Sequence, residues 1–399
     1  IYFMNIDALR NDTPGCRTKI HFNNAGCSLH PQPVVDTVIN YLKQESLTGG
    51  YELAAEKADE INGFYSSAAT LFNCKPENIA FVNNATDGFS KALSSIRFKK
   101  DDVILTTIND YVSNQIQFLS LEKRYGIKII RAENTEAGEV DVESVHKNIL
   151  KHQPVLVSVT HVPNNTGLIQ PVEQVGKICH DENILFAVDG CQSAGQLNVD
   201  LEKIQCDFFS SSMRKFMRGP RGGGFLYVSD KVLNLGLEPL FIDMTGADWV
   251  GENIYRPRAD AKRFEFTEVS YAIMLGAKAA MDYILNIGIT EIEKRNAELS
   301  AYARNQFALI PGTRLLDKGS KLSSIISLTA DGVDIMELKD TLIKNNINLG
   351  AAVKKFALLD FQNKKAESAL RISPHYYNTF EEVDMVAYAL KQALHQTAV

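Results

Sequence analysis

Positive charge, paired cysteines and long apolar runs are what this 399-residue chain has little of, and each deficit excludes a class of protein. Lysine and arginine number 42 against 48 acidic residues, a net charge of −6. A protein that neutralises many phosphates needs an extended basic face, so no nucleic-acid partner is expected. The six cysteines (Cys16, Cys27, Cys74, Cys179, Cys191 and Cys206) are scattered, with no C-x-x-C pair and no histidines at zinc spacing. They read as reduced thiols, and neither a disulfide framework nor a metal site is expected. No apolar run approaches the ~20 residues of a membrane helix, and the first residues lack the charged and then apolar segments of a secretory signal. The expectation is a cytoplasmic protein with no membrane partner. The chain also lacks internal repeats and low-complexity tracts, and its length allows two domains with a large core.

What is present is a rhythm. Short β-rich runs at 78–84, 101–108, 127–133, 154–162, 184–190, 206–212 and 223–229 alternate with amphipathic stretches such as "NQIQFLSLEKRYG" and "VESVHKNILKH". Alternation of strand and helix gives a mostly parallel sheet with helices on both faces. The unbroken apolar character of "ILFAV" and "PVLVSV" fits strands buried on both sides. After residue 230 the rhythm changes to a loop-rich link, a long helical region from about Tyr271 to Leu309, and a smaller α+β unit. The expected organisation is an arm over 1–30 that joins the small domain, a large domain over 31–255 and a small C-terminal domain over 256–399.

In an open α/β sheet, ligands bind outside the carboxyl ends of the strands. That edge here collects a distinctive set of side chains. The run 78–84 leads through Asn84 into Ala85 and Thr86 at a helix start, an anion site. The next strands deliver Tyr111, His161 with Asn164, and Asp189 with Gln192. The strand 206–212 ends in "SSSMRKFMRGPRGGG", which holds Ser212, Arg214, Lys215, Arg218 and Arg221. A nucleic-acid patch, a phosphate loop and a setting for one covalent lysine all compete to explain that basic cluster. A pyridinium ring with a 5′-phosphate uses every part of the edge: a phosphate cup, an aromatic shelf, an acid for the ring nitrogen and a Schiff-base lysine. Arg214 and Arg218 are expected to lower the lysine pKa by like-charge repulsion.

These motifs, "HFNNAGCSLHP" (21–31), "AVDGCQSAG", "SSSMRKFMRGPRGGGFLYV" and "ALRISPHYYNTFEEVD" (369–384), make the chain resemble the class V aminotransferases of pyridoxal-phosphate fold type I. That superfamily includes cysteine desulfurases, selenocysteine lyase, isopenicillin N epimerase-like and C–S lyase-like enzymes. The resemblance implies a seven-stranded, mostly parallel large domain, a homodimer with the active site at its interface, and pyridoxal 5′-phosphate as cofactor. It implies Lys215 as the Schiff-base lysine and Asp189 as partner of the pyridine nitrogen, with Asn164 and Gln192 on the phenolate oxygen and Tyr111 stacked on the ring. Ala85, Thr86, Ser212 and Arg214 would take the phosphate, and Arg371 the carboxylate of an amino-acid substrate, with Asn23 or, preferentially, Asn24 on the substrate side. Thr267, in "RFEFTEVSY", resembles the segment that reaches the partner's phosphate and reads equally as a helix cap. His161 reads as a buried structural histidine.

Two departures shape the expected reaction. Tyr111 stands where desulfurases and selenocysteine lyases stack a histidine, and "GAAVKKFALLDFQNKKAESALR" has no cysteine where desulfurases carry their sulfur acceptor. The resulting expectation is a β-eliminating C–S lyase on a cysteine-derived substrate and not a persulfide-forming desulfurase. Transamination and epimerisation are the alternatives, and a non-catalytic phosphate or nucleic-acid binder is the remote one.

Overall fold

The computed structural model describes residues 4–397. Seven strands form the large sheet: Ile79–Val82, Val103–Thr106, Lys128–Arg131, Leu156–Thr160, Leu185–Asp189, Phe208–Ser212 and Gly224–Val228, each inside a run expected from the sequence. Numbering these strands one to seven along the chain, their order across the sheet is one, seven, six, five, four, two, three. Only the seventh strand runs antiparallel to its neighbours. The fold class is therefore α/β, a mostly parallel seven-stranded sheet with helices.

Side-chain alternation buries both faces of this sheet. Val157, Val159, Phe186, Val188, Phe209 and Phe225 enter one core with Phe64 and Phe72. Their immediate neighbours Leu156, Ala187, Phe208 and Leu226 enter a second core on the opposite face with Phe89 and Phe118. A residue period of two with apolar groups at both phases is what a sheet covered on each side requires.

A five-stranded sheet forms the smaller unit, in the spatial order Ile20–Phe22, Ile347–Val353, Ser368–Ile372, Ile326–Ala330, Thr313–Leu315. Its edge strand Ile20–Phe22 pairs in parallel with Ile347–Leu349. The helical region after Tyr271 is two helices, Tyr271–Ile287 and Ile289–Ala308, which meet at 79°. They break at Gly288, whose φ of 95° only glycine adopts without strain. Met274, Leu275 and Met281 of the first helix pack into the large core, whereas Leu299, Ala303 and Phe307 of the second fill the core of the small sheet. Along these two helices the change from one core to the other falls between Ile292 and Leu299.

Among the described residues no single helix is long and apolar enough to cross a membrane. No group of three histidine, cysteine or acidic side chains among them is placed to hold a metal ion.

Candidate active site

The strand ends converge on a pocket of about 300 Å³ lined by Ala85, Thr86, Tyr111, Asn164, Asp189, Gln192, Ser212, Arg214 and Lys215. Nine sequence-derived positions therefore meet in one place, and the parallel order of the strands is the reason. Strands Leu156–Thr160, Leu185–Asp189 and Phe208–Ser212 are neighbours, so their carboxyl ends lie side by side.

Each part of the pocket has a local cause. Asn84 caps the helix Ala85–Ser95 by accepting from the Asp87 amide at 3.0 Å, while the Ala85 amide donates to Ser212 Oγ at 2.9 Å. The helix start and the end of the Phe208–Ser212 strand are thereby joined into one cup of donors, with the positive end of the helix facing it. Gly224 permits this approach: a Cβ there would stand 2.5 Å from Ser211 O and 3.0 Å from Asn84 Cα. Arg214 lines the cup and donates from Nη1 to Gly26 O, which ties the arm to it.

Asp189 is buried, receives the Cys191 amide at 2.9 Å on Oδ1 and the Asn114 amide group at 3.2 Å on Oδ2. Burial raises its pKa, while the nearby Lys215 charge and these donors act in the opposite direction. Lys215, also buried, places Nζ 6.0 Å from the centroid of the Tyr111 ring. Gln192 donates to Ala25 O at 3.0 Å, and its buried Oε1 has no donor.

Arg371 lies on the strand Ser368–Ile372 and donates to Asn164 O at 3.0 Å and to Asn23 Oδ1 at 3.3 Å. Its Nε is buried and unpartnered. Burial, with the Arg214 charge adding to it, pushes its pKa down to about 10. An arginine held by neutral oxygens retains a strong preference for a carboxylate.

Three expectations need correction or relocation. Asn24 is not on the substrate side: its amide donates to Ser373 O at 2.8 Å and its Oδ1 accepts from Tyr377 at 2.6 Å, so it is consumed in joining the arm to the C-terminal segment. Asn23, its neighbour, is the residue that reaches Arg371. Arg218 does not join the cup either. It is fully buried and donates to Leu29 O, Tyr376 Oη and Thr13 Oγ1 at 2.9, 2.7 and 2.6 Å, with its guanidinium 4.2 Å from the Tyr377 ring centroid. A lysine-tuning arginine and a structural bolt look alike in a linear sequence; only the long-range partners separate them. Thr267 lies outside the pocket of its own chain, exposed, with its hydroxyl 2.8 Å from that of Thr245. His161 is buried and lines a different cleft, and burial drops its pKa to about 4.

Sequence reasoning missed Asn114 and Asp110. Asn114 lines the pocket and touches Asp189; its place one turn into the helix that follows Tyr111 was the available signal.

The residues fit the implied cofactor. A buried carboxylate whose neutral partners leave its charge unbalanced suits a protonated ring nitrogen, and the donor cup suits a phosphate. The comparisons agree. The aminotransferase class-V family model matches residues 20–386, and the chain belongs to that family. It is a pyridoxal-phosphate-dependent enzyme. A probable cysteine desulfurase from Methanothermobacter thermautotrophicus is 27% identical, with 98% of each chain covered, and another from Pyrococcus abyssi is 29% identical, with 96% of each covered. The structure of a cysteine desulfurase from Thermococcus onnurineus NA1 superposes with a TM-score of 0.91 at 26% identity, covering 99% of this chain and 100% of that one.

These relatives overturn the expected reaction, a C–S lyase distinct from the desulfurases. A cysteine-free segment 350–371 does not exclude a desulfurase. The machinery that activates the substrate is the edge described above, and a sulfur-accepting thiol need not reside in the chain that carries it.

Proposed function

We propose that the enzyme is a cysteine desulfurase, converting cysteine to alanine and passing the sulfur to a thiol. The observation that carries this reading is Arg371, half-buried beside the pocket-lining Asn164 with a buried, unpartnered Nε and no carboxylate of its own, together with the desulfurase names of its full-length relatives.

Bound pyridoxal phosphate supplies an electron sink for the pair left when a bond at the substrate Cα breaks. The protein's residues do the rest. Arg371 binds the substrate carboxylate, with Asn23 and the Asn164 carbonyl fixing the guanidinium plane. Lys215 Nζ takes the proton from Cα. Asp189, steadied by Asn114, would hold the proton at the ring nitrogen. Ala85, Thr86, Ser212 and Arg214 would hold the phosphate, and Tyr111 would cover the ring. The segment 350–371 has no cysteine, so the accepting thiol would be that of a small molecule, of a partner protein or of Cys191, which lines the pocket.

Product analysis tests this. Cysteine with an added thiol is expected to yield alanine and persulfide sulfur in equal amounts. Pyruvate and ammonia in place of alanine would overturn it.

The dimer belongs to the same proposal. Leu240, Phe241, Met244, Trp249 and Ile254 form an exposed apolar surface, with Phe241, Met244 and Trp249 each 77–78% exposed. Thr267 sits against it through Asp243 and Thr245. A second copy covering this surface would bring Thr267 to the partner's phosphate cup. Sedimentation as a monomer at micromolar concentration would refute the dimer. A cytoplasmic setting suits the six unpaired thiols.

A further inference from the structure

Asp110 is a buried carboxylate with no role in the account above. Its Oδ2 accepts from Thr106 Oγ1 at 2.5 Å and Ser158 Oγ at 3.2 Å; its Oδ1 accepts from Thr160 Oγ1, the Tyr111 amide at 3.3 Å and Asn114 Nδ2 at 3.4 Å. All of these partners are uncharged. A buried anion solvated by hydroxyls and amides alone is expensive for a fold that needs only to join a strand to a helix. A serine or threonine would do that more cheaply.

The position of Asp110 explains the charge. Asn114 Nδ2 donates both to Asp110 and, at 3.2 Å, to Asp189 Oδ2, so one amide group lies between two buried carboxylates. Thr160 links Asp110 to the same strand end, since its hydroxyl donates to Asp110 and accepts the Tyr111 amide at 3.1 Å. Asp110 thus holds the residue that covers the ring and the residue that steadies the acid beneath it. It adds negative charge behind Asp189, and the Coulombic effect of that charge raises the affinity of this place for a proton or any other cation. Both effects work in the same direction, toward a cation at the ring-nitrogen position.

We propose that Asp110 is a positioning residue for the cofactor, orienting Tyr111 and, through Asn114, supplying the second negative charge that makes Asp189 a strong partner for the protonated ring nitrogen. In the apoprotein the Lys215 charge is the cation acting on Asp189; a bound ring-nitrogen cation would offset one of the two carboxylate charges. The inference concerns cofactor binding and is independent of which amino acid reacts.

The test titrates pyridoxal 5′-phosphate into the apoprotein without substrate, followed by visible absorbance, alongside thermal unfolding of the apoprotein. Asp110→Asn is expected to weaken cofactor affinity by about tenfold, the scale of one charge acting across several ångströms of protein. The apoprotein midpoint should stay level or rise, because an unbalanced charge has been removed. Asn114→Ala should weaken affinity similarly, and Asp110→Asn should add little on top of it. Unchanged affinity in Asp110→Asn, or affinity and apoprotein stability falling together, would overturn the proposal. If Asp110→Asn does not fold, Asp110→Glu decides: retained affinity supports the charge, and a tenfold loss refutes it.

Discussion

Arg214 and Arg218 are four residues apart in one basic stretch and end in opposite circumstances. Arg214 stands in a pocket where the polar groups are only partly satisfied: Gln192 Oε1 has no partner, nor has Nε of the neighbouring Arg371, and the hydrogen-bond donors to Asp189 are all neutral. Arg218 sits in a cage where Leu29 O, Thr13 Oγ1, Tyr376 Oη and the Tyr377 ring meet its guanidinium completely. The difference teaches how to tell a site from a joint. A joint spends its hydrogen-bonding capacity on the protein itself, and a site keeps capacity for a ligand.

Lys215→Ala attacks the site side of that comparison and carries the largest expected effect. Turnover should fall by about 10³-fold or more, since the base at Cα is gone. Thermal stability of the apoprotein should stay near the parent. Full activity in the alanine variant would remove the central assignment.

Arg218→Leu attacks the joint. Leucine fills part of the volume but leaves the Tyr376 and Thr13 hydroxyls and the Leu29 carbonyl without their donor, at a cost of about 3 kcal/mol of stability. Urea unfolding should show the loss, while cofactor affinity of the folded protein stays unchanged. A large loss of cofactor affinity at constant stability would place Arg218 back in the phosphate cup.

His161 lies between the two cases, structural but next to the site, with its amide donating to Asp189 O at 3.0 Å. Its pKa of about 4 in the fold lies below the ordinary 6.5 of an unfolded histidine. The unfolded chain therefore binds more protons between those values, so stability rises with pH across pH 4 to 6.5 and is lost as pH falls through it. The contribution amounts to about 3 kcal/mol at most. His21, pushed down to about 4 by burial, acts in the same direction. His30 and His375 are lowered by burial too, so His161→Gln should remove only its own share of this acid sensitivity in unfolding curves measured from pH 4 to 7. An unaltered pH slope would show that His161 is not held neutral.

Legibility in the sequence follows the same division. The seven strands were readable because strands buried on two faces carry dense apolar runs, as in Leu156–Thr160 and Phe208–Ser212. The pocket was readable because parallel order alone brings the ends of neighbouring strands together, whatever the details of packing. Asn23 against Asn24 was not readable: the choice depends on Ser373 and Tyr377, about 350 residues away. Nor was the change of core along the two long helices, since each presents an apolar face and only packing assigns it to its sheet. Asp110 stands just before a helix, and nothing in its local sequence marks it. Its meaning lies in hydroxyls contributed by two other strands.

The smallest expected effects give the sharpest form of the comparison, because they set two threonines against each other. Thr86 lines the phosphate cup at the start of the Ala85–Ser95 helix, and Thr13 accepts from Arg218 in the cage while donating to Leu9 O at 2.7 Å. Removing one hydroxyl from either costs about 1 kcal/mol. Thr86→Ala should appear in cofactor affinity, a loss of about fivefold, with apoprotein stability unchanged. Thr13→Ala should appear in stability with cofactor affinity unchanged. If both substitutions moved the same quantity, the cup and the cage would be one coupled unit, and the distinction between unmet and met polar groups would no longer separate binding from folding in this protein.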